Sequence, residues 1–387
     1  MKIIFACGGT GGHIYPAVAM YHEFKKHDTN MSNRYLFVGS DRGLEGDIYQ
    51  AESIPDYQLI KSRGIERSFS LQNFNSIWCN LVAFSQAKKI VRNFKPDLII
   101  STGSYPCFHI TFYASKYKIP FFFIEGNALP GIVVKLFQKT AKRIFASTDL
   151  IRKYLKTDSN IRISGLPTRD TRINKSKTEI LNDLGFIEDK SLKNKFSDHN
   201  VVAPVGSYRA KMITIIGGSC GSPELNVAVS GLIDDNSLNY QILWATGKRE
   251  YEKVMDRTND IPGNVKIVDY INNMPEILSV TDMLISRSGA MTIQEIKDFK
   301  LPAILVPFAR AAENHQYINA SELAELGVAE IIEEKDIDSN ILSRTINAVL
   351  LNENNIKEIY KNNPALNNEN VSEKIYEEII DCVKETI

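Results

Sequence analysis

The sequence carries no surplus of either charge: 46 lysines and arginines stand against 46 aspartates and glutamates, and the isoelectric point is about 7.0. Bulk electrostatics therefore gives no means of holding nucleic acid, and an anionic ligand has to be met by local groups. Cysteine is sparse. Cys7, Cys79, Cys107, Cys220 and Cys382 are scattered with no CxxC pair, which suggests neither a disulfide framework nor a zinc site and fits a reducing cytoplasm. Long hydrophobic runs are absent too. No stretch approaches the roughly 18 apolar residues of a spanning helix, and the apolar run after Lys2 is too short for a secretory core. A soluble chain, at most attached to a membrane surface, is expected. No short-period repeat is found.

What is present is an alternation. A chain of 387 residues divides most naturally into two domains. Strand-like runs at 3–6, 34–38, 97–101, 120–124, 143–146, 212–216, 240–244, 283–286 and 303–307 alternate with helical spacing, the pattern of parallel sheets covered on both faces. In "IIFACGGTGGHIYPA" (residues 3–17) four glycines and His13 separate the first strand from a helix expected from Ile14. The feature recurs at "GGSCGSPELN" (217–226), with Ser222 as N-cap and Pro223 in the first turn. Two Rossmann-like halves follow, expected at 1–166 and 167–370, with a charged terminal helix at 371–387. Residues 186–210 are polar and aperiodic and read as a surface insertion.

Neither glycine loop supplies GxGxxG or GxxxxGK[ST], so a mononucleotide or sugar-phosphate site fits better than a dinucleotide or Walker site. Tight strand-to-helix packing is the plainer reading of one such loop alone; two loops in two halves weaken it. His13 stands where a helix N-terminus keeps an imidazole neutral and able to act as a base, or where it merely caps the helix. Of the six histidines, His13 and His315 fall in loops at the carboxyl ends of strands. His22, His27 and His199 sit in polar segments, and His109 is open to either reading. In "ISRSGAMTIQEI" (285–296) Ser288, Gly289 and Ala290 are small enough for a diphosphate to approach the helix start. Glu295, about two turns on, reads as a ribose ligand or as a solvated helix residue. Glu313, Asn314, His315 and Gln316 form a polar loop suited to sugar hydroxyls, or an ordinary N-cap loop. There is no metal cage and no DxD element, so backbone amides would have to stabilise a leaving diphosphate.

Taken together, these segments resemble the MurG family, UDP-N-acetylglucosamine:undecaprenyl-pyrophosphoryl-MurNAc-pentapeptide N-acetylglucosaminyltransferases. The matching elements are "GGTGGHIYPA" (8–17), "GLEG" (43–46), "KPDLIISTGSY" (95–105), "EGN" (125–127), "GLPTR" (165–169), "GGSCGSPELN" (217–226), "YINNM" (270–274), "SRSGAMTIQEI" (286–296), "LPAILVPF" (301–308) and "ENHQYINA" (313–320). The resemblance implies the α/β GT-B glycosyltransferase fold, two Rossmann-like domains facing across a cleft, with the terminal helix crossing back to the first. It implies inverting transfer of GlcNAc from UDP-GlcNAc to the 4-hydroxyl of MurNAc in lipid I, giving lipid II for peptidoglycan synthesis.

By position, His13 becomes the general base, and Gly8, Gly9 and Tyr105 belong with the acceptor. Thr10, Gly11, Gly12, Asn127, Arg169, Ser219, Gly221, Ile271, Ser288, Gly289, Ala290, Glu295, His315 and Gln316 belong with the donor, Ile271 at uracil and Glu295 at ribose. No organic cofactor is implied, and divalent-metal dependence is left open. The implied partners are UDP-GlcNAc, lipid I, other cell-wall synthesis proteins and the cytoplasmic face of the bacterial membrane, where the protein would be peripheral. In residues 74–95, Trp78, Leu81 and Phe84 beside Lys88 and Lys89 suit an anionic bilayer, or form a crossover helix that buries the same stripe.

Departures concern mainly the acceptor half. Gly126 stands where the family usually has glutamine and Leu166 where it has asparagine. In the second glycine loop Cys220 replaces a glutamine. Two other classes stay open: a sugar-nucleotide 2-epimerase, separable by its UDP-sugar product, and a non-catalytic scaffold, in which His13→Ala would be silent.

Overall fold

The computed structural model describes residues 1–64, 71–168, 173–186, 210–218, 221–234, 238–258, 260–366 and 370–385. Of the expected insertion, residues 187–209 lie outside these, as do Arg169, Ser219 and Cys220. The chain forms two compact units: Met1–Asp170 with Gly289–Gln294 and Asn368–Ile387, and Thr171–Ser288 with Glu295–Asn367.

The first unit holds seven parallel strands: β1 (Lys2–Ala6), β2 (Arg34–Ser40), β3 (Tyr57–Ile60), β4 (Leu98–Ser101), β5 (Phe121–Glu125), β6 (Arg143–Ala146) and β7 (Ile161–Ile163), in the order β3-β2-β1-β4-β5-β6-β7. The second holds β8 (Lys211–Ile216), β9 (Tyr240–Ala245), β10 (Val265–Val268), β11 (Met283–Ser286), β12 (Ala303–Leu305) and β13 (Ala329–Ile331), in the order β10-β9-β8-β11-β12-β13. The second sheet therefore runs 3-2-1-4-5-6, the doubly wound order, the first adds a seventh strand to the same order, and in both the strand order reverses beside the first strand. Ligands bind in such sheets at the carboxyl ends of the strands flanking that reversal. In the first unit these are β1 and β4, registered Ile3 to Leu98 and Phe5 to Ile100; in the second, β8 and β11, registered Ile213 to Met283 and Ile216 to Ser286.

The described helices between the strands of the first unit are α1 (Gly11–His27), α2 (Glu45–Ala51), α3 (Leu71–Phe94), α4 (Phe108–Tyr117) and α5 (Ile132–Phe137). The described helices of the second unit are α6 (Lys177–Asp183), α7 (Pro223–Ile233), α8 (Tyr251–Arg257), α9 (Met274–Val280), α10 (Ala290–Phe299, which starts within the part grouped with the first unit), α11 (His315–Glu325), α12 (Ser339–Leu351) and α13 (Glu353–Asn362). Helix α7 starts as its sequence directs: the Ser222 hydroxyl accepts the Leu225 amide and Pro223 fills the first turn. The terminal helix α14 (Val371–Lys384) belongs to the first unit. Val371, Ile375, Ile379, Cys382 and Val383 are buried on one face, Tyr376 meets Phe24 of α1 edge-on at 4.8 Å, and Glu378 accepts from Arg143 and Arg162 at 2.8 Å each.

Helix α3 carries two apolar faces. Ala83, Ala87, Ile90 and Val91 are buried in the sheet-covering core, while Ile77, Trp78 and Leu81 are 51%, 68% and 59% exposed. Phe84 departs from its expected membrane role: it packs inward, edge-on to Phe108, His109 and Phe112 of α4 at 5.8, 4.7 and 5.3 Å. His109 is a core residue, and burial lowers its imidazole to about 4.

Candidate active site

In the first unit, α1 begins at Gly11 rather than Ile14, so His13 lies in its first turn. Thr10, at the N-cap position, makes no side-chain cap. The amides of Gly11 and Gly12 thus fall where a helix leaves its N–H groups without intrahelical partners, and the macrodipole adds positive potential. His13, half-buried, places Nδ1 3.1 Å from the carbonyl oxygen of Thr102, just beyond β4. A carbonyl can only accept, so Nδ1 carries the proton and Nε2 carries the lone pair. The two strands at the sheet reversal therefore supply a base and the group that fixes its tautomer.

Of the expected acceptor ligands, Gly9 is otherwise engaged. The Gly9 amide donates to Glu45 Oε1 at 2.9 Å, and Gly8 is buried with the same carboxylate where its Cβ would be. The Tyr105 ring lies over Gly9, 3.4 Å from where a Cβ would stand, and burial, with the charges of Glu45 and Asp41 behind it, raises its phenol. Asn127 is fixed from below by buried Glu125, whose Oε1 accepts the Asn127 amide at 3.0 Å and Nδ2 at 3.2 Å while Oε2 accepts the Gly131 amide at 2.9 Å.

In the second unit, the turns after β8 and β11 flank the reversal. Gly221 has φ +81° and no room for a side chain against the Thr246 carbonyl. Ser288 is fully buried, and its hydroxyl donates to the Gln316 carbonyl at 2.8 Å, so its backbone rather than its side chain is offered to a ligand. Gly289, next in sequence and grouped with the first unit, has nothing within 4 Å of a Cβ built there. Ile271 turns its side chain into a core with Ala245, Ile277 and Val280. Glu295 and His315 are half-buried. Ahead of His315, Glu313 and Asn314 are successive non-glycine residues with φ +53° and +57°, a costly backbone held by its surroundings. Gln316 Oε1 accepts the Phe308 amide at 2.9 Å, which turns the Gln316 NH₂ the other way, as a donor.

That arrangement hangs on Arg287, which the sequence reading passed over. Its buried guanidinium donates to the carbonyls of Val306 and Pro307 at 3.2 and 3.3 Å, pairs with Glu334, and lies 5.3 Å from the Phe308 ring centre. Glu334 also accepts the Ala309 amide at 3.1 Å. Among the described residues the only histidine–carboxylate group close enough to share an ion is Glu23, His27 and Glu373. It lies away from both reversals, and Lys26 already pairs with Glu23 at 3.2 Å.

The glycosyltransferase family 28 N-terminal domain matches residues 3–146 and the family 28 C-terminal domain residues 212–378. A UDP-N-acetylglucosamine--N-acetylmuramyl-(pentapeptide) pyrophosphoryl-undecaprenol N-acetylglucosamine transferase of Thermoanaerobacter sp. (strain X514) is 33% identical over 380 residues, covering 97% of this chain and 98% of that one. The enzyme of the same name from Leuconostoc mesenteroides is 33% identical over the full length of both chains. The chain belongs to the MurG family. Its fold is that of the GT-B glycosyltransferases: the crystal structure of Acinetobacter baumannii MurG matches with a TM-score of 0.69 at 19% identity, over 99% of each chain. The fold is shared more widely, since a Neisseria meningitidis UDP-GlcNAc 2-epimerase matches with a TM-score of 0.62 at 15% identity, over 98% of this chain and all of that one.

Within this MurG-family chain the residues missed by sequence reading are Thr102, Glu45, Glu125, Arg287 and Glu334. Three of them, Glu45, Glu125 and Arg287, are charges that abut a buried run or flanking glycines, as Glu125 ends "FFFIE" and Glu45 sits in "GLEG". Such a charge is a usable signal, because it cannot be buried without dedicated partners.

Proposed function

We propose that the protein transfers GlcNAc from UDP-GlcNAc to the 4-hydroxyl of MurNAc in lipid I, with inversion, giving lipid II. The observation that carries this is the His13–Thr102 bond at the sheet reversal, in a chain one-third identical over its whole length to enzymes named for that reaction. Nε2 of His13 takes the proton of the acceptor hydroxyl as its oxygen attacks C1 of GlcNAc. The new O–C1 bond forms on the face opposite the bond to diphosphate, which breaks with its electron pair and releases UDP. Amides at Gly289 and Ala290, where α10 begins, meet the charge that develops on the diphosphate. Gln316 and His315 hold the sugar, and Glu295 the ribose. The epimerase alternative shares the fold but predicts a UDP-sugar product without acceptor. Appearance of labelled GlcNAc in a lipid-linked disaccharide, dependent on lipid I, is the expected result; label recovered only in a UDP-sugar would refute the proposal.

The acceptor is a lipid, so the reading includes peripheral seating on the cytoplasmic membrane face. Among the described residues no helix is long and apolar enough to cross a membrane. Ile77, Trp78 and Leu81 of α3, with Lys88 and Lys89 exposed two turns on, support a surface contact. Ile132 and Leu136 of α5, which packs like α3 against α4, are also exposed, at 68% and 61%. Trp78→Ser/Leu81→Ser is expected to lower binding to phosphatidylglycerol vesicles about tenfold with no change in melting temperature, because both side chains are already in water. Vesicle binding unaltered in the double variant would refute this surface.

A further inference from the structure

Glu45 stands within the first turn of α2 with its side chain fully buried. Its hydrogen-bond partners are backbone amides: Oε1 accepts from Gly9 at 2.9 Å and from Ser40 at 3.1 Å, whereas Oε2 is buried with no partner. Three glycines from separate segments are cleared around it. A Cβ at Gly8 would run into Oε1, one at Gly43 into Oε2, and one at Gly39 would come within 2.8 Å of Cγ. Burying a carboxylate with one oxygen unsatisfied is costly, and a core here could be built from apolar side chains without those clearances. The carboxylate instead ties the ends of β1 and β2 together at the edge where this sheet binds ligands.

Resting on the transferase reading above, we propose that Glu45 is a positioning residue for the acceptor. By taking the Gly9 amide it fixes the Gly8–Thr10 turn, and its charge repels an anion from that point. The acceptor diphosphate is thereby directed to the amides of Gly11 and Gly12, immediately before His13, in place of the donor role expected for these two residues from the sequence. Gly8 of this loop, with Gly39 and Gly43 beyond it, thus makes room for an internal anion, and the first turn of α1 is left for the external one.

The test compares Glu45→Ala and Glu45→Gln with the wild type, using a soluble lipid I analogue and UDP-GlcNAc. Glu45→Ala is expected to raise the acceptor KM at least about tenfold while the donor KM stays within about twofold. Glu45→Gln, which keeps an oxygen for both amides, is expected to restore the acceptor KM to within about threefold. Gly9 amide hydrogen exchange, read by NMR without any turnover, is expected to quicken at least about tenfold in Glu45→Ala only. Should Glu45→Ala fail to fold, Gly43→Ala displaces the carboxylate and is expected to give the same KM split. An unchanged acceptor KM, or equal losses for donor and acceptor, would overturn the proposal. Absence of transfer by the wild type would overturn the transferase reading instead, and the exchange measurement would still decide whether Glu45 fixes the loop.

Discussion

Replacing His13 by alanine is expected to lower kcat for GlcNAc transfer by about a hundredfold to ten-thousandfold, the usual contribution of a positioned general base. The argument runs through the tautomer. Because Nδ1 is committed to the Thr102 carbonyl at 3.1 Å, the imidazole presents a lone pair at Nε2, and rotation of the ring would break that bond. The donor KM should change little, since the residues assigned to donor binding other than those of the first glycine loop and Asn127 belong to other segments. Half-buried His13 lies at the edge of the first unit's core, so the melting temperature should move by only a few degrees. A kcat within threefold of wild type would remove His13 from the base role.

Glu334→Ala is expected to destabilise the protein by about 3 kcal/mol and to weaken donor binding. The side chains of Arg287 and Glu334 are 9% and 10% exposed. Removing one partner of a buried pair leaves the other charge uncompensated, which costs roughly 3–5 kcal/mol; Glu224, 3.6 Å from the guanidinium and half-exposed, offsets part of that. Burial by itself would raise the Glu334 carboxyl, but its hydrogen bonds from Arg287 and the Ala309 amide, together with the Arg287 charge, hold it below its ordinary value. A lowered carboxyl stabilises the fold above the unfolded-state pKa. That contribution fades as pH falls through the folded-state value, so the wild type should lose stability in acid more steeply than the variant.

The effect on the donor follows from geometry. Without Glu334, Arg287 no longer pins the Val306–Ala309 turn, and the Phe308 amide that orients Gln316 is released. A donor KM raised about tenfold is expected. Glu334→Gln keeps an acceptor for Ala309 and should lose less than half as much stability. Chemical denaturation showing less than about 0.5 kcal/mol for Glu334→Ala would contradict the clamp.

The strands that were legible in the sequence and those that were not divide by position in the sheets. Central strands such as β1, β4, β5 and β8 are buried on both faces and read as continuous apolar runs. The unread strands are β3, β7, β10 and β13, the four sheet edges, where partial exposure breaks the run into patterns such as "YQLI" and "AEI". The start of α1 was misplaced by three residues because glycine carries no periodicity signal, although Gly11 and Gly12 are helical here. Helix α3 defeats a one-stripe reading, since Phe84 and Trp78 lie on different faces of one apolar helix.

In the site, residue types at strand ends pointed to His13 and Gln316, and the family resemblance to Tyr105. Their supports were hidden because they act over long sequence separations, as between Gly9 and Glu45 or His13 and Thr102. The same long-range bonds explain why Ser288 and Gly9, apt ligands by type, are occupied within the fold.

The measurement that tests the central claim most directly is the product formed from radiolabelled UDP-GlcNAc with and without a lipid I analogue. The account predicts one lipid-linked β-1,4 GlcNAc–MurNAc product for each UDP released, and no consumption of UDP-GlcNAc when the acceptor is left out. Conversion of UDP-GlcNAc to another UDP-sugar without acceptor, or donor binding with no product under either condition, would contradict it.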